Sequence, residues 1–600
     1  MKKRFAAMLF TAAVLLLLPV YVSAEGEETL TVNGVNAMET AEGEGWVFDC
    51  DTMTLTLDGY NGGPVIAGYI DLKVVLAEGS RNVITSENGT ALGNIQDPFD
   101  SPYHTLNIEG ELAADGSRPT LQVTGYDHAI YAIGSIGLKN CEITAKSTTE
   151  STTTGKMECI LSQRYLTVDN CKITVTGAGV GMTCYDKQTI SGSELTVDVG
   201  MIGIHANNEN LVISNSTLDI TGGTAALYSY FGSVSLEKCE GTLKAGTAAI
   251  YGQNIDEDYL TELTDCTLDM QASYGIMSYA DVVVTDGTLT FSGNCGIYAY
   301  STDNTTRLDV LGTAHLDAKA CTNAAALVCG TYSCADTASV DGIIRNQATS
   351  EMLFSGEVEI ARDLTADRPV IILPGAQVTI AEGVAVDFSA PSSVVNQGTL
   401  VNNGTLTLNG DTAVNKGTLY NYGTITLTGE AALTNSGEIH TLCSSIFAVE
   451  GNAAIVEHRW DDGVVASAPT VNTVGEKVYT CQLDASHTKK EELAKLERAD
   501  YTAVEEAIAK IPNDLESYRE EDVAALLAAR DTVEEDLDVS RQDEVDAMAK
   551  AIEDALAALQ KKPVNPDTGA DISVTVWFML LAGLGGCAAA GRKFRRYGRD

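Results

Sequence analysis

The strongest constraint on this chain is a repeat. Between Ala129 and Tyr300 a Leu-x-Val pair leads into an Asn-Cys or polar-small pair. Next comes x-Ile-Thr-Val or a variant, then Gly-Ile with a tyrosine close behind. The segments LTVDNCKITVTGAGVGMTCY, LVISNSTLDITGGTAALYSY and VVVTDGTLTFSGNCGIYAY carry it. The Asn-Cys position recurs at Cys141, Cys171, Ser193, Ser216, Cys239, Cys266 and Gly287. The Gly-Ile position recurs at Ala129, Cys159, Gly181, Gly203, Ala226, Ala249, Gly275 and Gly296. Both markers keep one register, with steps of 21 to 30 residues. A unit of that size cannot bury its own apolar face, so the copies must stack. Within each, apolar residues alternate with Thr, Ser, Asp and Lys, β-branched residues are frequent, and Gly, Asn and Asp mark the bends. That is strand-and-turn patterning. Three short strands per coil of roughly 22 residues describe a parallel β-helix.

Strand alternation then sorts the side chains. After the Gly-Ile position the inward residues are Ile130, Ile160, Met182, Ile204, Leu227, Ile250, Ile276 and Ile297. Two positions on, the inward residues are small, from Ala132 and Ser162 to Ser278 and Ala299. The outward positions hold Tyr131, Tyr185, Tyr228, Tyr230, Tyr251, Tyr279, Tyr298 and Tyr300, with His205 and Asn207 in the same rows. Neighbouring rungs lie about 4.8 Å apart, so the tyrosines are expected as an exposed ladder along one face, the candidate ligand-binding site. A phenol offers a flat apolar face and a hydroxyl, which suits stacking on sugar rings. Tyrosine is also a good strand residue that stacks on itself, and both readings stand at this level.

The cysteines Cys141, Cys171, Cys239 and Cys266 share one inward position with Ser193 and Ser216. A small residue repeated in one position reads as a packed internal stack. The adjacent-rung pairs Cys141/Cys171 and Cys239/Cys266 are also placed for disulfides. No Cys-x-x-Cys or His-x-x-His spacing suggests a metal site, and no cofactor or metal is expected.

The rungs between about residues 110 and 345 resemble the right-handed β-helix repeats of pectate-lyase-like proteins. The resemblance implies a fold and not an activity. The hydrolases of that group carry clustered aspartates with a Gly-His-Gly, and the lyases an acidic calcium site beside a catalytic Arg or Lys; neither pattern occurs here. The seven histidines are scattered, so no catalytic residue is assigned, although two suitably spaced carboxylates are all a glycosidase requires. The opening LTVNG…GWVFDCDTMTLTLDGYNGG resembles the start of β-helical surface proteins from Gram-positive gut bacteria, some described as carbohydrate-binding.

The flanking segments set the domain order. Lys2, Lys3 and Arg4, the apolar run Phe5 to Leu18 and the small residues Val22-Ser23-Ala24 form a secretory signal over residues 1–24, with cleavage between Ala24 and Glu25. Residues 25–110 are expected to cap and start the β-helix, and residues 111–345 to form its body. In residues 346–456, Asn396, Asn415 and Asn435, and separately Asn402 and Asn421, recur at 19 or 20 residues. They predict amide ladders in a second β-helical section, resembling adhesin shafts. Residues 457–492 resemble a small β-repeat of Firmicute surface proteins. Residues 493–562 carry helical periodicity with capping-box patterns at Thr502/Glu505, Ser517/Glu520 and Ser540/Asp543. They resemble a FIVAR-type three-helix module. The fold class is therefore mainly β: a right-handed parallel β-helix, a small β module and a three-helix bundle.

Residues 563–600 hold Asn565-Pro566-Asp567-Thr568-Gly569, an apolar run from Ile572 to Ala590 and a basic tail. This resembles a sortase sorting signal. The run spans about 28 Å as a helix, close to the hydrocarbon thickness, and the basic tail marks the cytoplasmic side. The resemblance implies cleavage after Thr568 and transfer to wall peptidoglycan by a sortase. The first motif position, usually Leu, is Asn565 here. With a net charge of -44, nucleic acid is excluded as a partner, because phosphate attraction needs clustered Lys and Arg. The sequence therefore predicts a wall-anchored adhesin or carbohydrate-binding protein with a glycan ligand. A polysaccharide lyase or glycosidase and a ligand-free spacer are the alternatives.

Overall fold

The computed structural model describes residues 28–95, 103–149, 158–177, 179–253, 259–322, 325–390 and 393–563. The expected signal cleavage at Ala24/Glu25 and the motif Asn565–Gly569 lie outside the described residues. The chain divides into two units, 1–459 and 460–600.

The first unit is a parallel β-solenoid, and the chain has about 16 of its turns. One coil runs through Val180–Cys184, Gln188–Ser191 and Glu194–Val199, and the next begins at Ile202–Ala206. Each strand pairs in parallel with its equivalent one coil on. The inward column Ile130, Ile160, Met182, Ile204, Leu227, Ile250, Ile276, Ile297 is in register throughout. Every member is fully buried. Close stacking also explains the Gly-Ile position: a Cβ on Gly203 would lie 2.5 Å from the Ala226 carbonyl oxygen.

The Asn-Cys pairs are corners. Asn140, Asn170 and Asn215 adopt φ of 56°, 51° and 49°, and Lys238, Asp265 and Asp286 take the same turn. This left-handed conformation favours Asn, Asp and Gly. The next residue turns inward: Cys141, Cys171, Cys239 and Cys266 are buried. Ser193 Oγ accepts from Cys171 N at 3.0 Å and donates to the Ser191 carbonyl at 2.7 Å. The Sγ atoms of Cys141 and Cys171 are 3.6 Å apart, a thiol–thiol hydrogen bond and not a disulfide.

The solenoid's first edge is closed by antiparallel strands. Thr29–Val32 pairs antiparallel with Val65–Gly68, and Trp46–Asp49 with Thr54–Leu57. Trp46 and Phe48 join the common core. Parallel coiling starts where Thr54–Leu57 meets Leu72–Leu76.

A reversal separates two cores. Ser339–Asn346 pairs antiparallel with Glu351–Ser355, after which parallel stacking resumes at Val370–Ile372. In the second section Asn396 Nδ2 donates to Asn415 Oδ1 at 2.7 Å, and Asn415 Nδ2 to Asn435 Oδ1 at 2.7 Å. A second ladder runs from Asn402 to Asn421 at 2.8 Å and ends on Thr441 Oγ1 at 3.1 Å. These amides are buried, so they bond inside the coil, where an unpaired amide would be costly.

The second unit holds a three-stranded antiparallel sheet of Val464–Ser467, Gly475–Thr480 and Thr488–Leu493. It also holds helices α1 (Thr502–Ala509), α2 (Glu520–Asp531) and α3 (Gln542–Ala558). Val504, Ala507, Leu526, Val545 and Ile552 form their shared core. The expected capping boxes do not cap these helices, whose N-cap positions are Tyr501, Arg519 and Arg541, without side-chain cap bonds. Aspartates act one step earlier. Asp514 and Asp538 cap short 3-10 turns that lead into α2 and α3, and Asp500 Oδ1 accepts from Thr502 N at 2.9 Å. Among the described residues no helix is long and apolar enough to cross a membrane.

Candidate functional site

The outward side of the sheet built from Val180–Cys184 and its equivalents carries two columns. The first runs through Thr183, His205, Tyr228, Tyr251, Met277 and Tyr298, paired in register from coil to coil. The second, two residues further along each coil, holds Tyr185, Asn207, Tyr230, Gln253, Tyr279 and Tyr300. Here the backbone ladder continues past the strand ends, as in Tyr230 N to the Ala206 carbonyl at 3.0 Å and Tyr300 N to the Ser278 carbonyl at 2.9 Å.

The rings form one connected run. His205 stacks on Tyr228 at 5.0 Å between centroids, and Tyr228 meets Tyr251 at 5.0 Å. Tyr251 meets Tyr279 at 6.4 Å, Tyr279 meets Tyr300 at 6.2 Å, and Tyr300 stacks on Tyr298 at 5.7 Å. Tyr274, which the expected set omits, packs on Tyr298 at 5.5 Å. Tyr185 is exposed; Tyr228, Tyr230, Tyr251, Tyr279, Tyr298 and Tyr300 are half-buried. The rings therefore spend part of their surface on one another and leave the remainder to solvent.

Tyr131 departs from the expected exposed ladder. It has the outward phase but is only 8% exposed. It stacks on His128 at 5.1 Å, packs with Ile133 and Leu161, and receives a hydrogen bond from Gln163 Nε2 at 2.9 Å. Alternation decides which side of a sheet a residue leaves from; it does not decide what else packs there. The open face thus starts at Tyr185 and His205.

Burial sets the protonation of the face. It raises the Tyr251 phenol to about 12 and pushes Tyr228 and Tyr298 up as well. It lowers His205 to about 4. At neutral pH the face therefore offers neutral phenols and a neutral imidazole. Thr183 Oγ1 and His205 Nε2, on adjacent coils of the first column, are inaccessible and have no hydrogen-bond partner among the described residues. Thr183, Met277 and Gln253 were legible from the register that found the tyrosines, since they occupy the same two columns. The unpartnered state of Thr183 and His205 required coordinates.

Residues 53–306 match the family model described as carbohydrate-binding domain-containing protein. The match suggests a carbohydrate-binding role for the β-solenoid. No curated protein and no solved structure matches the chain. The matched segment contains every tyrosine of the open face, from Tyr185 to Tyr300, together with His205, Asn207 and Gln253.

Proposed function

We propose that the chain is a non-catalytic, cell-wall-anchored surface protein that binds carbohydrate through the tyrosine face between Tyr185 and Tyr300. The observation that carries this reading is an aromatic, half-open face lying wholly inside the segment that matches a carbohydrate-binding family model. Phenol rings supply apolar faces for the C–H surfaces of a sugar, and the phenol and amide groups beside them supply hydrogen bonds to its hydroxyls. Anchoring is supported by the Asn565–Gly569 motif with its apolar run and basic tail. A sortase would cleave between Thr568 and Gly569 and join the Thr568 carbonyl to an amine of the wall peptide.

The test is a glycan array, followed by titration with the ligand it selects. Replacing Tyr228, Tyr251 and Tyr298 together with Ala abolishes binding on this reading, while the far-ultraviolet circular dichroism of the solenoid is kept. Unchanged affinity in a folded triple variant removes the face as the site. The ring–ring contacts favour one competing reading, in which the tyrosines only stabilise the coil stack. A blank array together with a lowered melting temperature of the triple variant selects it. Release of product from the selected polymer would instead make the protein an enzyme.

A further inference from the structure

We infer that the face takes a linear, uncharged polysaccharide laid along the solenoid axis, with Thr183 and His205 reading sugar hydroxyls at one end. This rests on the carbohydrate reading above and narrows it to a substrate class.

Shape is the first argument. The two columns continue over six successive coils, a length of about 24 Å at the strand spacing, and they stand about 7 Å apart along the strands. The rings of the stripe are half-open to solvent or exposed, and two cavities among the described residues lie elsewhere, between Ala318 and Leu364 and inside the second core. A site for a terminal sugar encloses it. An open stripe of repeated rings gains contacts unit by unit along an extended chain.

Charge is the second. The twelve outward positions of the two columns carry no Asp, Glu, Lys or Arg, in a chain whose net charge is -44. Uronate, sulfate and phosphate groups are recognised by Arg and Lys forks, which the stripe lacks. The acidic protein around it would also repel an anionic polymer.

Unpaired polar groups are the third. Asn207 and Gln253 bring amides into the second column between the tyrosines, and Gln253 Oε1 accepts from the Tyr228 hydroxyl. Among the described residues Thr183 Oγ1 and His205 Nε2 have no partner, and leaving buried polar groups unpaired destabilises the free protein. The side-chain rotations that are common on binding would open both to hydroxyls of a sugar lying over Tyr185 and Tyr228.

The experiment is calorimetric titration of the full chain with uncharged glucan, mannan, xylan and galactan oligomers of one to eight units. Polygalacturonate and heparin are the anionic counterparts. The expected result is binding of at least one uncharged series, with affinity rising more than tenfold from two to six units, and no binding of the anionic polymers. His205→Phe keeps the ring stack and removes the nitrogen, and it weakens binding about tenfold, as loss of one hydrogen bond does; His205→Gln, which restores a polar end, loses less. Length-independent binding, tighter binding of an anionic polymer, or full affinity in a folded His205→Phe protein would overturn the inference and leave the carbohydrate reading in place. Absence of binding to every carbohydrate here and on the array overturns the carbohydrate reading itself.

Discussion

His205 shows what a single residue on the face costs and provides. Its imidazole is held neutral by burial, with a folded pKa of about 4 against an ordinary value of 6.5. Between those two pH values the unfolded histidine binds a proton and the folded one does not. Stability therefore falls as pH drops through this window, with a slope set by a difference of up to one bound proton at this site. In the His205→Phe variant, unfolding free energy measured from pH 7 to 4 should decline less steeply than in the parent. Equal slopes would mean that the imidazole is protonated in the fold. The neutrality and missing partner of His205 were not legible in the sequence. Strand phase places a ring on the outer side of a sheet and says nothing about the solvent left around it. Tyr131 makes the same point, since it shares the phase of Tyr228 yet lies beneath its neighbours.

At the scale of the element, most of the coil was legible. Alternation specified the inward columns, and the Asn-Cys, Gly-Ser and Asp-Gly pairs specified the corners because few residues tolerate the left-handed turn found there. The reversal between Ser339–Asn346 and Glu351–Ser355 was not, because parallel and antiparallel strands share the same alternation. The helix starts were misread for a related reason. Serine and threonine three residues ahead of an acid fit a capping box, but Asp500, Asp514 and Asp538 reach the backbone first. One element carries a defect. Gln188 is fully buried in a column between Leu166 and Leu211, and neither end of its amide has a partner among the described residues. Gln188→Leu should stabilise the solenoid by about 1–3 kcal/mol, the cost of an unsatisfied buried polar group. Thermal unfolding would show this as a raised melting temperature, and a lowered one would reveal a hydrogen bond to the amide.

For the whole molecule, the sequence order of apolar start, solenoid, small sheet, helices and apolar end carries the proposal of surface display. Its test lies in Thr568. If a sortase uses this motif, Thr568→Ala should move the protein from the wall fraction to the membrane and medium fractions. Equal wall content of the variant would leave the apolar run as a plain anchor. Legibility was greatest at this scale for fold class, because a repeat of 21 to 30 residues admits few architectures. It was least for the proposed ligand, because recognition of a sugar depends on where hydroxyls and rings meet in space.

The parallel register also has a mechanical consequence. The hydrogen bonds between coils run along the stacking direction, so tension applied along the solenoid from its ends loads them one coil after another. Each coil that peels away frees about 22 residues, or roughly 75 Å of contour at full extension. If the chain is anchored and holds a polymer as proposed, such a stack would lengthen in steps under tension and cap the load, as a shock absorber does.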